Sequence, residues 1–190
     1  MGISLAKGGN APIGASLQKF IVGMGWDINE TDSGQGFDLD ASAFMLGNDG
    51  KVISQQHFIF YGQLKSPEGC IEHTGDNTTG MGEGDDESIK VDLSKLPANC
   101  DSVTFVVTIH DGENRRQNFG QVRNAFVRVY DPSTNEEIIK YDLGEDYSIE
   151  TAVEFGNLYK KDGAWKFKAI GAGFAGGLKK FTDKYGVITE

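Results

Sequence analysis

The chain has 190 residues, of which 38% are hydrophobic, and a formal net charge of -10. That length fits one domain with a continuous core, expected to span residues 1–190, and twelve phenylalanines set the chain apart from disordered sequences. The acid excess excludes the Lys/Arg stripe that sequence-independent nucleic-acid binding requires, and no stretch approaches the run of apolar residues needed for a membrane helix.

In chain order, the amino terminus MGISLAKGGN lacks the apolar segment of a secretory signal. It also carries Ala6 where a myristoylation motif has Ser or Thr, so the cytoplasm is the expected compartment. Short runs rich in Val, Ile, Phe and Tyr then recur at 19–26, 37–46, 57–61, 88–93, 102–110, 125–131, 137–143 and 165–170, and turn residues separate them. Alternation is plain in Ile89-Lys90-Val91-Asp92-Leu93 and in Phe126–Tyr130, where Arg128 points outward. The nearly continuous apolar run 104–109 predicts a strand inside a sheet. Asn48-Asp49-Gly50, residues 131–135 and Lys161-Asp162-Gly163 predict tight turns. Helices are expected only near 151–159 and at 177–185. Many short strands joined by such turns predict an all-β fold, an antiparallel β-sandwich with short peripheral helices.

The charge is concentrated. Residues 76–87, DNTTGMGEGDDE, hold five acids and no base, and residues 27–40 hold Asp27, Glu30, Asp32, Asp38 and Asp40, again with no base. Without these ten acids the chain has 18 acids against 18 bases, so the whole net charge sits in two short places. At an effective dielectric of 20, two carboxylates 4 Å apart repel by roughly 4 kcal/mol. Such segments are either solvated tips or holders of a hard cation. Calcium takes six to eight oxygens in irregular geometry, and Gly75, Gly80, Gly82 and Gly84 would let the backbone of the second segment fold back. Its twelve residues match an EF-hand loop in length alone, since Thr78, Gly80 and Met81 occupy positions where that loop needs acids and a turn glycine. Asp38 and Asp40 alternate with Phe37 and Leu39, so they share the face opposite the core.

Other motifs are weaker than they look. Asp38-Leu39-Asp40-Ala41-Ser42 superficially matches the aspartyl phosphatase pattern D-x-D-x-[TV], which would make the chain a metal-dependent hydrolase using Asp38 or Asp40. The apolar strand that should precede such a motif is missing, because Ser33-Gly34-Gln35-Gly36 stands there. Gly171–Gly176 has the form G-x-G-x-x-G but lacks the downstream strand and acid of a dinucleotide site, so it is expected to be a tight turn packing the last helix. His57, His73 and His110 have no spacing suited to a triad or a metal, and Cys70 and Cys100 are too few for a disulfide scaffold or a zinc site.

Several motifs then occur in order. Gly25-Trp26-Asp27, Gly36-Phe37-Asp38-Leu39-Asp40-Ala41-Ser42, Phe58-Ile59-Phe60-Tyr61 and Gly75-Asp76-Asn77-Thr78-Thr79-Gly80 come first. Gly84-Asp85-Asp86-Glu87, Asn118-Phe119-Gly120-Gln121-Val122, Glu150-Thr151-Ala152 and the segment 165–171 follow. Across essentially its full length the chain resembles the TerD family of tellurium-resistance and chemical-stress proteins. The resemblance implies a single β-sandwich, a cytoplasmic bacterial protein without a defined enzymatic reaction, calcium bound at acidic loops, and action through other stress or tellurium-resistance proteins. It implies Ca2+ ligands among Asp38, Asp40, Asp76, Asp85, Asp86 and Glu87, with Asp27, Asn77 and Thr79 on the same motifs. No small-molecule substrate is evident. A calcium bridge to an anionic membrane, reached directly or through partners, is the alternative expectation.

Overall fold

The computed structural model describes residues 2–27, 37–75, 85–143 and 147–189. Their strands are β1 (Ile3–Ser4), β2 (Asn10–Pro12), β3 (Lys19–Asp27), β4 (Leu39–Leu46), β5 (Phe58–Ile59) and β6 (Ile71–His73). They continue as β7 (Glu87–Asp92), β8 (Ser102–Ile109), β9 (Arg123–Asp131), β10 (Glu136–Asp142), β11 (Ala152–Lys161) and β12 (Ala164–Phe174). The helices are α1 (Gly112–Arg115) and α2 (Gly177–Tyr185). One sheet has the order β1-β10-β9-β3-β7-β6, the other β2-β12-β11-β8-β4-β5. All pairings are antiparallel except the short β1–β10 contact.

The core is built by period-two alternation. Phe20, Val22 and Met24 of β3, Ile89 and Val91 of β7, and Val127 and Val129 of β9 turn inward from the first sheet. Leu39, Ala41, Ala43 and Met45 of β4 and Val103, Phe105 and Val107 of β8 meet them from the second. The outer face of the second sheet carries its own apolar cluster of Phe44, Leu46, Phe58 and Val106, which α2 covers with Phe181 and Tyr185. Burying each such aromatic contributes roughly 1.5–3 kcal/mol, so this second layer makes α2 a packed element of the fold.

Two local expectations change. Residues expected to be helical near 151–159 form β11, ten residues long and central between β8 and β12. Pairing on both edges outweighs the weak local preference, and Gly156 serves close packing there. A Cβ on it would stand 2.4 Å from the Phe167 ring, and the ladders on both sides shift register at that point. The Gly171–Gly176 run is also not a turn throughout, since β12 continues to Phe174 and only then does the chain bend into α2.

Candidate metal centre

Four strand ends set the geometry. β3 and β7 lie side by side with Met24 opposite Glu87, which brings the carboxyl end of β3 next to the start of β7. β6 flanks β7 with His73 opposite Ile89, so its carboxyl end reaches the same place. The amino end of β4 lies across the core, where the Ala41 N–H donates to Glu87 Oε2 at 2.5 Å. Both acid-rich segments therefore leave from and return to one end of the sandwich. Asp76, Asn77 and Thr79, like Glu30 and Asp32, fall outside the described residues.

The described acids at this end do different things. Asp27 accepts a hydrogen bond from Asn124 Nδ2 at 2.6 Å. Asp85 folds over the outer face of the first sheet, against Gly23, where any Cβ would stand 2.2 Å from its Oδ2. There Arg128 grips it with Nε–Oδ1 at 2.7 Å and Nη2–Oδ2 at 3.1 Å. Asp86 turns back along β3. Its N–H donates to the Met24 carbonyl, and its carboxylate accepts the Trp26 N–H, both at 2.9 Å. Burial pushes the Asp86 carboxyl above its ordinary pKa; the Trp26 bond opposes this, and the negative charges of Asp27 and Asp85 add to it. Asp27, Asp85 and Asp86 thus share one electrostatic neighbourhood.

Glu87 points the other way, between the sheets. It is buried with His73, whose Nε2 stands 3.2 Å from Glu87 Oε2. His73 Nδ1 accepts the Gly75 N–H at 3.1 Å, so Nε2 carries the proton that it donates to Glu87. Glu87 ties the two sheets together at the root of the second acidic segment.

Asp38 and Asp40 belong to the second sheet. The Asp38 carbonyl accepts the His110 N–H at 2.7 Å, and Asp38 Oδ1 is buried with no hydrogen-bond partner among the described residues. Asp40 lies on the outer face, as its alternation with Leu39 and Ala41 predicts, and its Oδ2 stands 3.5 Å from His110 Nδ1. It lines a pocket of about 280 Å³ with Tyr61, His110 and the start of α2. Asp85 and Asp40 occupy opposite outer faces of a sandwich whose sheets pack about 10 Å apart, so one ion cannot join them. Among the described residues, no three His, Cys, Asp or Glu side chains converge closely enough to hold a metal ion.

Sequence patterning missed the partners. Arg128 neutralises Asp85, and Asn124, His73 and His110 hold Asp27, Glu87 and Asp40, all from elsewhere in the chain. The one available signal was alternation, which put Arg128 on an outer face. The phosphatase context is absent, because Asp38 and Asp40 stand at the amino end of an antiparallel strand. Burial raises both thiols, pushing Cys100 up to about 12, so thiolate chemistry has no support. Among the described residues no helix is long and apolar enough to cross a membrane.

Comparison with known proteins agrees with this architecture. The TerD domain model matches residues 1–185. The chain is 55% identical over 190 residues to general stress protein 16U of Bacillus subtilis, covering 98% of each chain. It is 52% identical to tellurium resistance protein TerD of an Alcaligenes species, again over 98% of both. A crystal structure of a TerD homologue from Streptomyces coelicolor superposes with a TM-score of 0.70 at 25% identity, covering 87% of this chain and 95% of that one. A two-sheet sandwich with acid-rich connections at one end, matched along nearly its whole length, belongs to the TerD family of tellurium- and chemical-stress-resistance proteins.

Proposed function

We propose that the chain is a cytoplasmic calcium-binding stress protein that acts through calcium-dependent ordering of its acidic end and contacts with other resistance proteins, without catalysis. The convergence of both acid-only segments on one end of the sandwich carries this reading. At that end Asp86 is crowded by Asp27 and Asp85, and Asp38 Oδ1 is buried without a partner among the described residues. A hard cation answers both problems, since it removes the repulsion and satisfies an orphaned carboxylate oxygen. Asp27, Asp38 and Asp86, with oxygens from residues 28–36 and 76–84, including Asp76, Asn77 and Thr79, are the residues that would hold it. Asp85 and Glu87 are engaged by Arg128 and by His73 with Ala41, and support the site from behind. Asp40, on the outer face of the second sheet, is assigned to it least directly. Bound calcium would supply positive charge and cross-link the segments.

For a carboxylate-rich site of this kind the expected affinity is of order 10⁻⁷–10⁻⁵ M. A hundredfold excess of free calcium over the dissociation constant then stabilises the fold by about 2.7 kcal/mol per site. Thermal melting of metal-free protein with calcium, with magnesium and with excess chelator tests this. The expected result is a calcium-specific rise that chelator reverses, and identical melting curves in all three solutions would remove the basis for the reading.

A further inference from the structure

The far end of the first sheet has the opposite electrostatics. Asp27 and Lys19 terminate the same strand, about 26 Å apart at the rise of an extended chain. Around Lys19 lies a groove of about 260 Å³ whose rim carries Lys19, Lys65, Lys90 and Lys95 with Glu72 and Asp92. Each carboxylate is shared by two amines. Glu72 meets Lys65 Nζ at 3.1 Å and Lys90 Nζ at 3.4 Å. Asp92 Oδ2 meets Lys19 and Lys95, both at 3.8 Å, and its Oδ1 is taken by Ser94. Four ammonium groups against two carboxylates leave two positive charges over, in a chain whose net charge is -10.

The floor between the amines is apolar, formed by half-buried Ile21 with Pro132 at the edge, and the core residues Phe20, Cys70 and Val91, at most 2% exposed, lie beneath it. The lysine side chains are 53–71% exposed, so their pairs with Glu72 and Asp92 are weak and each amine can swing to a stronger acceptor at little cost. Lysine stems over an apolar floor, with mobile cationic heads above it, suit a ligand with an apolar body and a doubly charged end. We propose that this groove binds a small organic dianion, a phosphate monoester carrying a compact apolar or aromatic group. The site lies apart from the acidic segments, and its occupancy does not depend on calcium.

Phenyl phosphate is a suitable probe, titrated into the isotope-labelled full chain and followed by amide chemical shifts. Saturable one-to-one shifts centred on Lys19, Lys90 and Val91 are expected, in chelator and in calcium alike. The paired change Lys65→Gln with Lys90→Gln should weaken binding roughly tenfold by removing two of four amines, while Lys161→Gln, at the exposed end of β11, should leave it unchanged. Inorganic phosphate and benzyl alcohol, each lacking one half of the ligand, should bind at least about tenfold more weakly. No saturable shift below about 10 mM phenyl phosphate, unaltered affinity in the double variant, or inorganic phosphate binding as tightly would overturn the proposal. So would binding only to phosphatidic-acid vesicles or to an acidic peptide, since either makes the surface a macromolecular dock. A calcium-insensitive protein that still binds phenyl phosphate would separate this site from the calcium reading.

Discussion

β3 and β7 run side by side from one electrostatic extreme to the other. At one end Asp27, Asp85 and Asp86 crowd together, and the Arg128 guanidinium grips Asp85. At the other end Lys19, Lys65, Lys90 and Lys95 compete for Glu72 and Asp92. The two ends differ in burial as much as in sign. Asp85 is 5% exposed and Glu87 1%, whereas the lysines stand mostly in water. Charge that is buried has to be matched within the fold, and charge that is exposed is free for a ligand.

The largest effect should come from Glu87→Ala. It orphans the Ala41 N–H and the His73 Nε2–H together inside the core, a loss of about 3 kcal/mol in urea unfolding of metal-free protein. Glu87→Gln, which keeps an acceptor, should lose about 1 kcal/mol. Equal stability of Glu87→Ala and the parent would show that this buried clasp between the sheets is dispensable. Arg128→Ala should follow at about 2 kcal/mol, because Asp85 is then left nearly buried without its counter-charge. A change below about 0.5 kcal/mol would place Asp85 in water instead.

Asp86 offers a sharper test of the crowding, with a definite sign. Its raised folded-state pKa means that the native state holds a proton which the unfolded chain has released. In metal-free protein its favourable contribution is full below the ordinary pKa of 3.8 and is lost as pH rises through the folded-state value. Asp86→Asn keeps an acceptor for Trp26, so it should match the parent at low pH and exceed it in stability above that window. Denaturation midpoints across pH 3 to 7 would show it, and a parent that gains on the variant as pH rises would reverse the assignment. The smallest effect belongs to the lysine end, where Lys65→Gln with Lys90→Gln should move stability by less than about 0.5 kcal/mol. A larger loss there would mean that those pairs hold the fold.

Much of this was legible in the sequence for local reasons. Runs rich in Val, Ile and Phe marked β3, β8 and β9 to within a residue or two, and α2 lies where expected, at Gly177–Tyr185. β1, β2 and β6 were missed because strands of two or three residues carry no period of their own and exist only by docking on longer neighbours. β11 looked helical although β12 follows it directly across the Asp162-Gly163 turn, because its other partner, β8, lies more than forty residues earlier in the chain. The acids were visible as two clusters, since charge density is local. Their division of labour was not, because it is set by contacts such as Glu87 with Ala41, 46 residues away, and Asp85 with Arg128, 43 residues away.

The central claim is that a calcium ion answers the charge gathered where the acidic segments meet. Isothermal titration of chelator-stripped protein with calcium tests it most directly, run on the parent and on Asp38→Asn with Asp86→Asn. The account predicts saturable binding in the parent, with a dissociation constant of order 10⁻⁷–10⁻⁵ M, and binding at least about tenfold weaker in the double variant. A parent that gives no saturable heat, or a double variant that binds as tightly as the parent, would contradict it.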